Sequence, residues 1–345
     1  MQRRWTIIFG LLFGTVLLFG ILNLLIGTVD IPLRSVVRIL FGDGAGESEI
    51  QRNILLKSRL PQALTALAAG AGLSVSGLQM QTVFRNPLAG PSVLGISSGA
   101  SLGVALVVLV SGIGGHALSR LGYAGNIALT LSAILGALAV MALIAYVSQQ
   151  VKGNVTLLII GVMIGYVANA VIGVLKFFSV EEDIRAYVIW GLGSFARVSG
   201  NQVTLFVTVM AVLLPLSMLL VKTLNLMLLG DRYARNLGLN IRRARLWTIG
   251  SAGVLVAVVT AYCGPVMFLG LAVPHLCRGL FGTSDHRILM PASLLLGAAL
   301  ALLCNLIARL PGFEGVLPIN SVTALIGAPV VMWVLFRKRK NDWNE

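Results

Sequence analysis

Long apolar blocks separated by short polar breaks run the length of the chain. A helix that crosses a bilayer needs about twenty predominantly apolar residues. Runs near that length cover 5–27, 60–80, 92–111, 125–149, 155–178, 203–221, 246–262, 288–308 and 319–336. A shorter one, 266–277, opens after the Gly264-Pro265 break. The block 60–80 is rich in Ala and Gly, which lets a helix approach its neighbours closely. The third block is interrupted at Gly95-Ile96-Ser97-Ser98-Gly99, a break that bends the span or delays its start. The pattern predicts an all-α polytopic membrane protein of ten transmembrane helices, with residues 1–345 forming a single transmembrane domain.

One break is unlike the others. The stretch 226–245, LMLLGDRYARNLGLNIRRAR, carries six charges: Asp231, Arg232, Arg235, Arg242, Arg243 and Arg245. Six charges in hydrocarbon would cost about 15–20 kcal/mol, at about 2.5–3.5 kcal/mol each. The stretch therefore lies in water. Leu226, Leu229, Tyr233 and Leu237 recur at helical spacing, and Gly238 and Asn240 break the run, which predicts two short helices. By itself such a segment reads either as a solvated connection between two spans or as a docking element for another protein.

The chain is 57% hydrophobic and only 11% charged, with a mean hydropathy of +0.93. A soluble domain carries about 25% charged residues, and no polar stretch here is long enough to form one. The first block, two arginines followed by an apolar run to Gly27, is too long for a signal-peptide core and lacks a small-residue cleavage site after it. It is expected to be the first span. Ten spans put both termini on one side. That side holds sixteen Lys/Arg and four acids, against ten and eight on the other, a balance of +12 against +2. This asymmetry places the termini and 226–245 in the cytoplasm. It also accounts for the net charge of +14 without a nucleic-acid partner. Cys263, Cys277 and Cys304 fit no metal spacing, and an odd number cannot all pair; they read as packing residues.

Several function classes lose support. No acid lies inside a predicted span, whereas ion-coupled transporters often carry one at membrane depth. No span is an arginine ladder. No Gly-Lys pair occurs, so there is no Walker A loop, and any ATP hydrolysis belongs to a separate subunit. Gly95–Gly99 fits the G-x-S-x-G nucleophile elbow, which needs a strand before it and a helix after it. Its base would have to be His116, His275 or His286. A structural Gly/Ser break is the simpler reading.

Other stretches form an ordered set: Arg59-Leu60-Pro61-Gln62; Ser76-Gly77-Leu78-Gln79-Met80-Gln81; Phe84-Arg85-Asn86-Pro87-Leu88-Ala89-Gly90-Pro91; Trp190-Gly191-Leu192-Gly193-Ser194; Leu229-Gly230-Asp231; Phe268-Leu269-Gly270-Leu271; Val273-Pro274-His275; Asp285-His286-Arg287; and 322–329, VTALIGAP. Over residues 55–336 this set closely resembles the iron-chelate and cobalamin permeases of type II ABC importers.

The resemblance implies a homodimer with ten spans per subunit, two cytoplasmic ABC ATPase subunits docked on it, and an extracytoplasmic binding protein that delivers a metal chelate. It implies a bacterial inner membrane, with ATP and Mg held by the ATPase subunits and no cofactor on this chain. The stretch 226–240, within a segment of about 224–245, matches the family's coupling helices. The residues carried over there are Leu228, Gly230, Asp231, Ala234, Arg235, Leu237 and Gly238. Arg59 and Arg309 match arginines that meet acidic residues of the binding protein; charge pairs of that kind steer encounter. Gln62 and Asn305 depart from the family's usual Arg and Asp. Asn86 and Leu88 match a loop that narrows the exit, and Asn154, Tyr166 and Asn169 lie on a helix similar to the path-lining one. From the residues alone Asn86 can also be read as an ordinary turn, Arg59 as a snorkelling interface residue, and Asn169 as bonding a neighbouring helix.

Overall fold

The computed structural model describes residues 2–27, 29–42, 48–110, 123–151, 153–310 and 316–342. The helices in order are α1 Gln2–Leu25, α2 Leu33–Phe41, α3 Glu49–Phe84, α4 Ile96–Val110, α5 Tyr123–Gln150, α6 Asn154–Phe177, α7 Glu181–Gly191 and α8 Asn201–Met218. There follow α9 Val221–Leu228, α10 Asp231–Asn236, α11 Ile241–Cys263, α12 Leu269–Phe281, α13 His286–Ala308 and α14 Ile319–Asp342. No strand occurs among the described residues. Among the described residues, seven helices (α1, α3, α5, α6, α8, α11 and α13) are long and apolar enough to cross a membrane. The other three predicted spans are shorter apolar helices: Ile96–Val110, Leu269–Phe281 and Ile319–Met332. Two of these start late because non-helical backbone precedes them. A 3-10 turn, Pro91–Leu94, and Gly95 at φ +73° come before α4, and the 264–268 segment comes before α12.

α3 is the centre. Its most apolar window is 89% buried, against 11% for α1. Small residues make that possible. A Cβ at Gly77 would lie 1.7 Å from the Gly270 carbonyl oxygen, and one at Gly70 would lie 2.3 Å from that of Gly297. The backbones of α12 and α13 thus touch the backbone of α3, as small-residue contacts in membranes allow. Polar bonds tie α11 to α3 as well: Ser76 Oγ donates to the Ala252 carbonyl at 3.1 Å, and Gln79 Nε2 donates to Ser251 Oγ at 3.2 Å. The α4–α5 pair repeats the device, since a Cβ at Gly136 would lie 2.1 Å from the Gly99 oxygen. Cys263, Cys277 and Cys304 are buried packing residues.

Several predicted boundaries move. The second span's helix begins at Glu49, not near residue 60. It widens to a π turn over Leu55–Arg59, just before Pro61, which has no N–H for the carbonyl four residues back. The sixth ends at Met218, three residues after Pro215. The seventh begins at Ile241, because Asn240, expected to break the run, caps it: Asn240 Oδ1 accepts from the Arg243 N–H at 3.1 Å. Of Gly95–Gly99, only Gly95 is non-helical; Ser97 and Ser98 sit in the first turn of α4. The elbow reading fails, because a 3-10 turn stands where a strand is required. His116 lies outside the described residues.

Arg59, which the resemblance matches to a docking arginine, turns inward and is 1% exposed. Nη1 donates to the Leu24 and Leu25 carbonyls at 2.7 Å, and Nη2 donates to that of Val29. The last carbonyls of a helix have no partner within it, and those of α1 end in an apolar setting. Arg59 satisfies them and holds the chain leading to α2, which seats Val36 and Ile39 on Ile31 and Leu55. Arg309 is half-buried beside it: a Cβ at Gly27 would lie 2.8 Å from Arg59 Nη2 and 3.2 Å from Arg309 Nη2. Burial, and then the Arg59 guanidinium, lowers the Arg309 pKa from its ordinary value. Asn305 bonds Asn23 Oδ1 at 2.8 Å, tying α13 to α1. Gln62 donates to Ser58 Oγ at 3.1 Å.

Two stability predictions follow from this packing. Gly77→Ala should lower the melting temperature in detergent, by an overpacking cost of about 1–3 kcal/mol, whereas Gly10→Ala, with nothing within 4 Å, should leave it unchanged. Arg59→Ala should lower it too, since each buried carbonyl left unpaired costs about 1–3 kcal/mol; an unaltered melt would contradict the capping role.

Candidate functional site

The polar island folds as two short helices, but the run expected from Leu226 to Leu237 is itself broken, at Gly230. Gly230, at φ +98°, separates α9 from α10, and Gly238, at φ +85°, follows α10. Only glycine adopts such angles without strain. Leu224, Met227 and Ala234 face inward and are buried. Leu228, Leu229, Tyr233 and Leu237 face outward, with Tyr233 at 71% and Leu237 at 61% exposure. Arg235 and Gly238 are exposed beside them. An apolar patch exposed on a strongly charged segment marks an interaction surface.

Two polar clusters fasten the island to the bundle. In the first, Asp231 accepts from Arg85 through one oxygen and from Arg245 Nη2, at 3.1 Å, through the other. In the second, Asn225 Nδ2 donates to Asp285 Oδ1 at 2.6 Å, while Asn225 Oδ1 accepts from the His286 N–H at 2.9 Å. The His286 ring spans from Asn225 Oδ1 (2.8 Å, at Nδ1) to Thr82 Oγ1 of α3 (2.7 Å, at Nε2). An amide oxygen only accepts, so Nδ1 donates there. Asp285 also caps α13 through the Arg287 N–H at 2.9 Å. That N–H lowers the Asp285 pKa most; partial burial opposes it, and Asn225 lowers it further.

The loop after α3 lies next to the island. Arg85 closes α3 in the left-handed region, at φ 48°. Asn86 Oδ1 accepts from the Leu88 N–H at 2.9 Å, which tightens the turn. Three bonds pin the end of α3 and this loop to α12. His275 Nε2 donates to the Pro87 carbonyl at 2.7 Å, Gln81 Nε2 to the Leu271 carbonyl at 3.2 Å, and Arg278 Nη1 to Gln81 Oε1 at 2.6 Å. Leu88, 44% exposed, lines a cavity of about 150 Å³ with Gly90, Ser92, Met267, Phe268 and Leu271. Non-helical backbone inside a bilayer is tolerated where it lines a cavity, and the stretches 85–95 and 264–268 meet at this one.

On α6, Tyr166 and Asn169 lie on an outward face that also exposes Met163 and Val167. They do not line the Leu88 cavity. Asn154 opens α6, and its side chain lies outside the described residues. Sequence reasoning assigned no role to Arg85, Arg245 or Asn225, and weighed His275 and His286 only as bases for the elbow. A signal was present: each is a polar residue at the end of an apolar block, where a helix end must be held.

The family model described as the FecCD transport family matches residues 15–337. The chain is 36% identical over 338 residues to the vitamin B12 import system permease protein BtuC of Klebsiella pneumoniae subsp. pneumoniae, covering 98% of this chain and 95% of that protein. It is 35% identical over 289 residues to the hemin transport system permease protein HmuU of Yersinia pestis, covering 84% of each. A solved metal-chelate-type ABC transporter in an inward-facing conformation superposes with a TM-score of 0.82 at 29% identity, over 96% of this chain and 99% of that one. With the family model matching residues 15–337, nearly the whole chain, this protein belongs to the FecCD transport family.

Proposed function

We propose that this protein is the permease subunit of an ATP-driven importer that carries a metal chelate, ferric siderophore or haem, inward across a bacterial inner membrane, with cobalamin as the alternative cargo. The observation that carries this reading is the outward stripe Leu228–Leu229–Tyr233–Leu237 on two short helices fastened by ion pairs to the ends of spans. Such a stripe fits a cleft on a partner protein. In this reading both termini and the island face the cytoplasm, and two ABC ATPase subunits, which hold ATP and Mg, grip the island. The chain itself holds no cofactor.

A second copy would pack against the exposed face of α6, with Tyr166 and Asn169 bordering the route between subunits. Leu88 and Asn86 would narrow its inner mouth. An extracytoplasmic binding protein would dock near Arg309; with Arg59 occupied by backbone carbonyls, Arg309 is the arginine better placed to meet an acidic side chain. The relatives named for vitamin B12 and hemin match at 36% and 35% identity, so similarity does not choose the cargo.

Reconstitution with the cognate ATPase and binding protein in proteoliposomes tests the reading. Uptake of one of ferric siderophore, haem or cobalamin should require ATP; uptake by the permease alone would sink it. Tyr233→Glu with Leu237→Glu should cut ATPase co-purification at least tenfold without changing the melting temperature. Asp231→Ala with Arg235→Ala should sharply reduce uptake per ATP hydrolysed, and normal uptake by that variant would refute the coupling role.

A further inference from the structure

We propose that Arg85 is the residue through which the coupling segment moves the gate loop. This rests on the permease reading above and adds a residue that the reading did not need. Arg85 has its backbone in one machine part and its side chain in another. The backbone is the first non-helical residue of the loop carrying Asn86 and Leu88. The side chain leaves that loop: Nη2 bonds the Asp231 carboxylate of α10 and reaches the Met227 carbonyl of α9 at 3.4 Å.

The two fastenings of the island differ in kind. His286 is 1% exposed, and through Asn225 and Thr82 it ties α9 to α13 and α3 inside the bundle. α10 is set apart from that anchor by Gly230. It is flanked by two glycines at positive φ with nothing within 4 Å of a Cβ on either. No side chain at either position packs α10 against α9 or α11. Asp231 is where α10 touches the loop, and the side chains of Arg85 and Asp231 are 42% and 30% exposed. An exposed pair of this sort adds little to stability, so holding the fold together does not account for it. The other Asp231 oxygen is engaged by Arg245, 8% exposed at the start of α11, which keeps the carboxylate aimed between two guanidinia. A displacement of α10 therefore reaches Leu88 through one side chain, and through the bonds of Pro87 and Gln81 it reaches α12.

A double-mutant cycle in the reconstituted complex tests this, since residues acting through one another give non-additive effects. Uptake per ATP hydrolysed is measured for the parent, Arg85→Ala, Asp231→Ala and the double variant. Arg85→Ala should lower it at least tenfold, the double variant should match Asp231→Ala, and Arg85→Lys, which keeps the charge, should recover to within about threefold of the parent. Full coupling in Arg85→Ala, or losses that multiply, would overturn the proposal.

A second readout follows the loop directly. With Leu88→Cys as reporter, and the native cysteines buried, maleimide labelling should change rate when ATP is added. The same change in the Arg85→Ala background would also overturn the proposal. Failure of the parent complex to bind the ATPase or to use ATP would instead count against the permease reading, so the two failures are distinguishable.

Discussion

The close approach of α3 to its neighbours is the constraint on which the rest depends. Within a bilayer there is no hydrophobic drive to press helices together, and packing has to supply the attraction. Gly70 and Gly77 let the α12 and α13 backbones touch α3 directly. That contact sets the depth of α12. It therefore sets where the extended segment 264–268 meets the loop 85–95, and hence where the Leu88 cavity forms.

A bundle built on glycine contacts leaves helix ends and breaks to be satisfied by side chains. Arg59 does this for α1, Asp285 and Asn240 for the starts of α13 and α11, and His275 for the Pro87 carbonyl. Each acts where regular backbone bonding stops. Side chains are placed there because an unpaired buried carbonyl or N–H is costly.

The island shows the opposite balance. Its inner side, Leu224, Met227 and Ala234, is packed, while its outer side leaves Tyr233 and Leu237 in the open. Partly buried bonds of Asn225 fix α9, and an exposed ion pair links α10 to the loop. One part of the segment is thus rigid with the bundle, and the other is positioned to transmit displacement.

The apolar blocks determined that the chain is a helical membrane protein, because their length and the cost of buried charge leave no other outcome. Six charges in 226–245 determined that this stretch is solvated, and its leucine spacing determined that it is helical, but not that it breaks at Gly230. The ordered motifs made the family legible from the residues alone. Periodicity did not place the ends: the second span's helix starts at Glu49 and the seventh at Ile241, since a π turn before Pro61 and a cap by Asn240 depend on local hydrogen bonds that hydropathy does not register. Tertiary structure alone decided that Arg59 turns inward to the α1 carbonyls, that Asp231 stands between Arg85 and Arg245, and that Asn225 meets His286. These partners are 34, 146, 14 and 61 residues apart in sequence, counted from Arg59 to Leu25, Arg85 to Asp231, Asp231 to Arg245 and Asn225 to His286. Helical and apolar character are properties of neighbouring residues, whereas which distant polar groups become partners is fixed only when the glycine contacts bring the helices together.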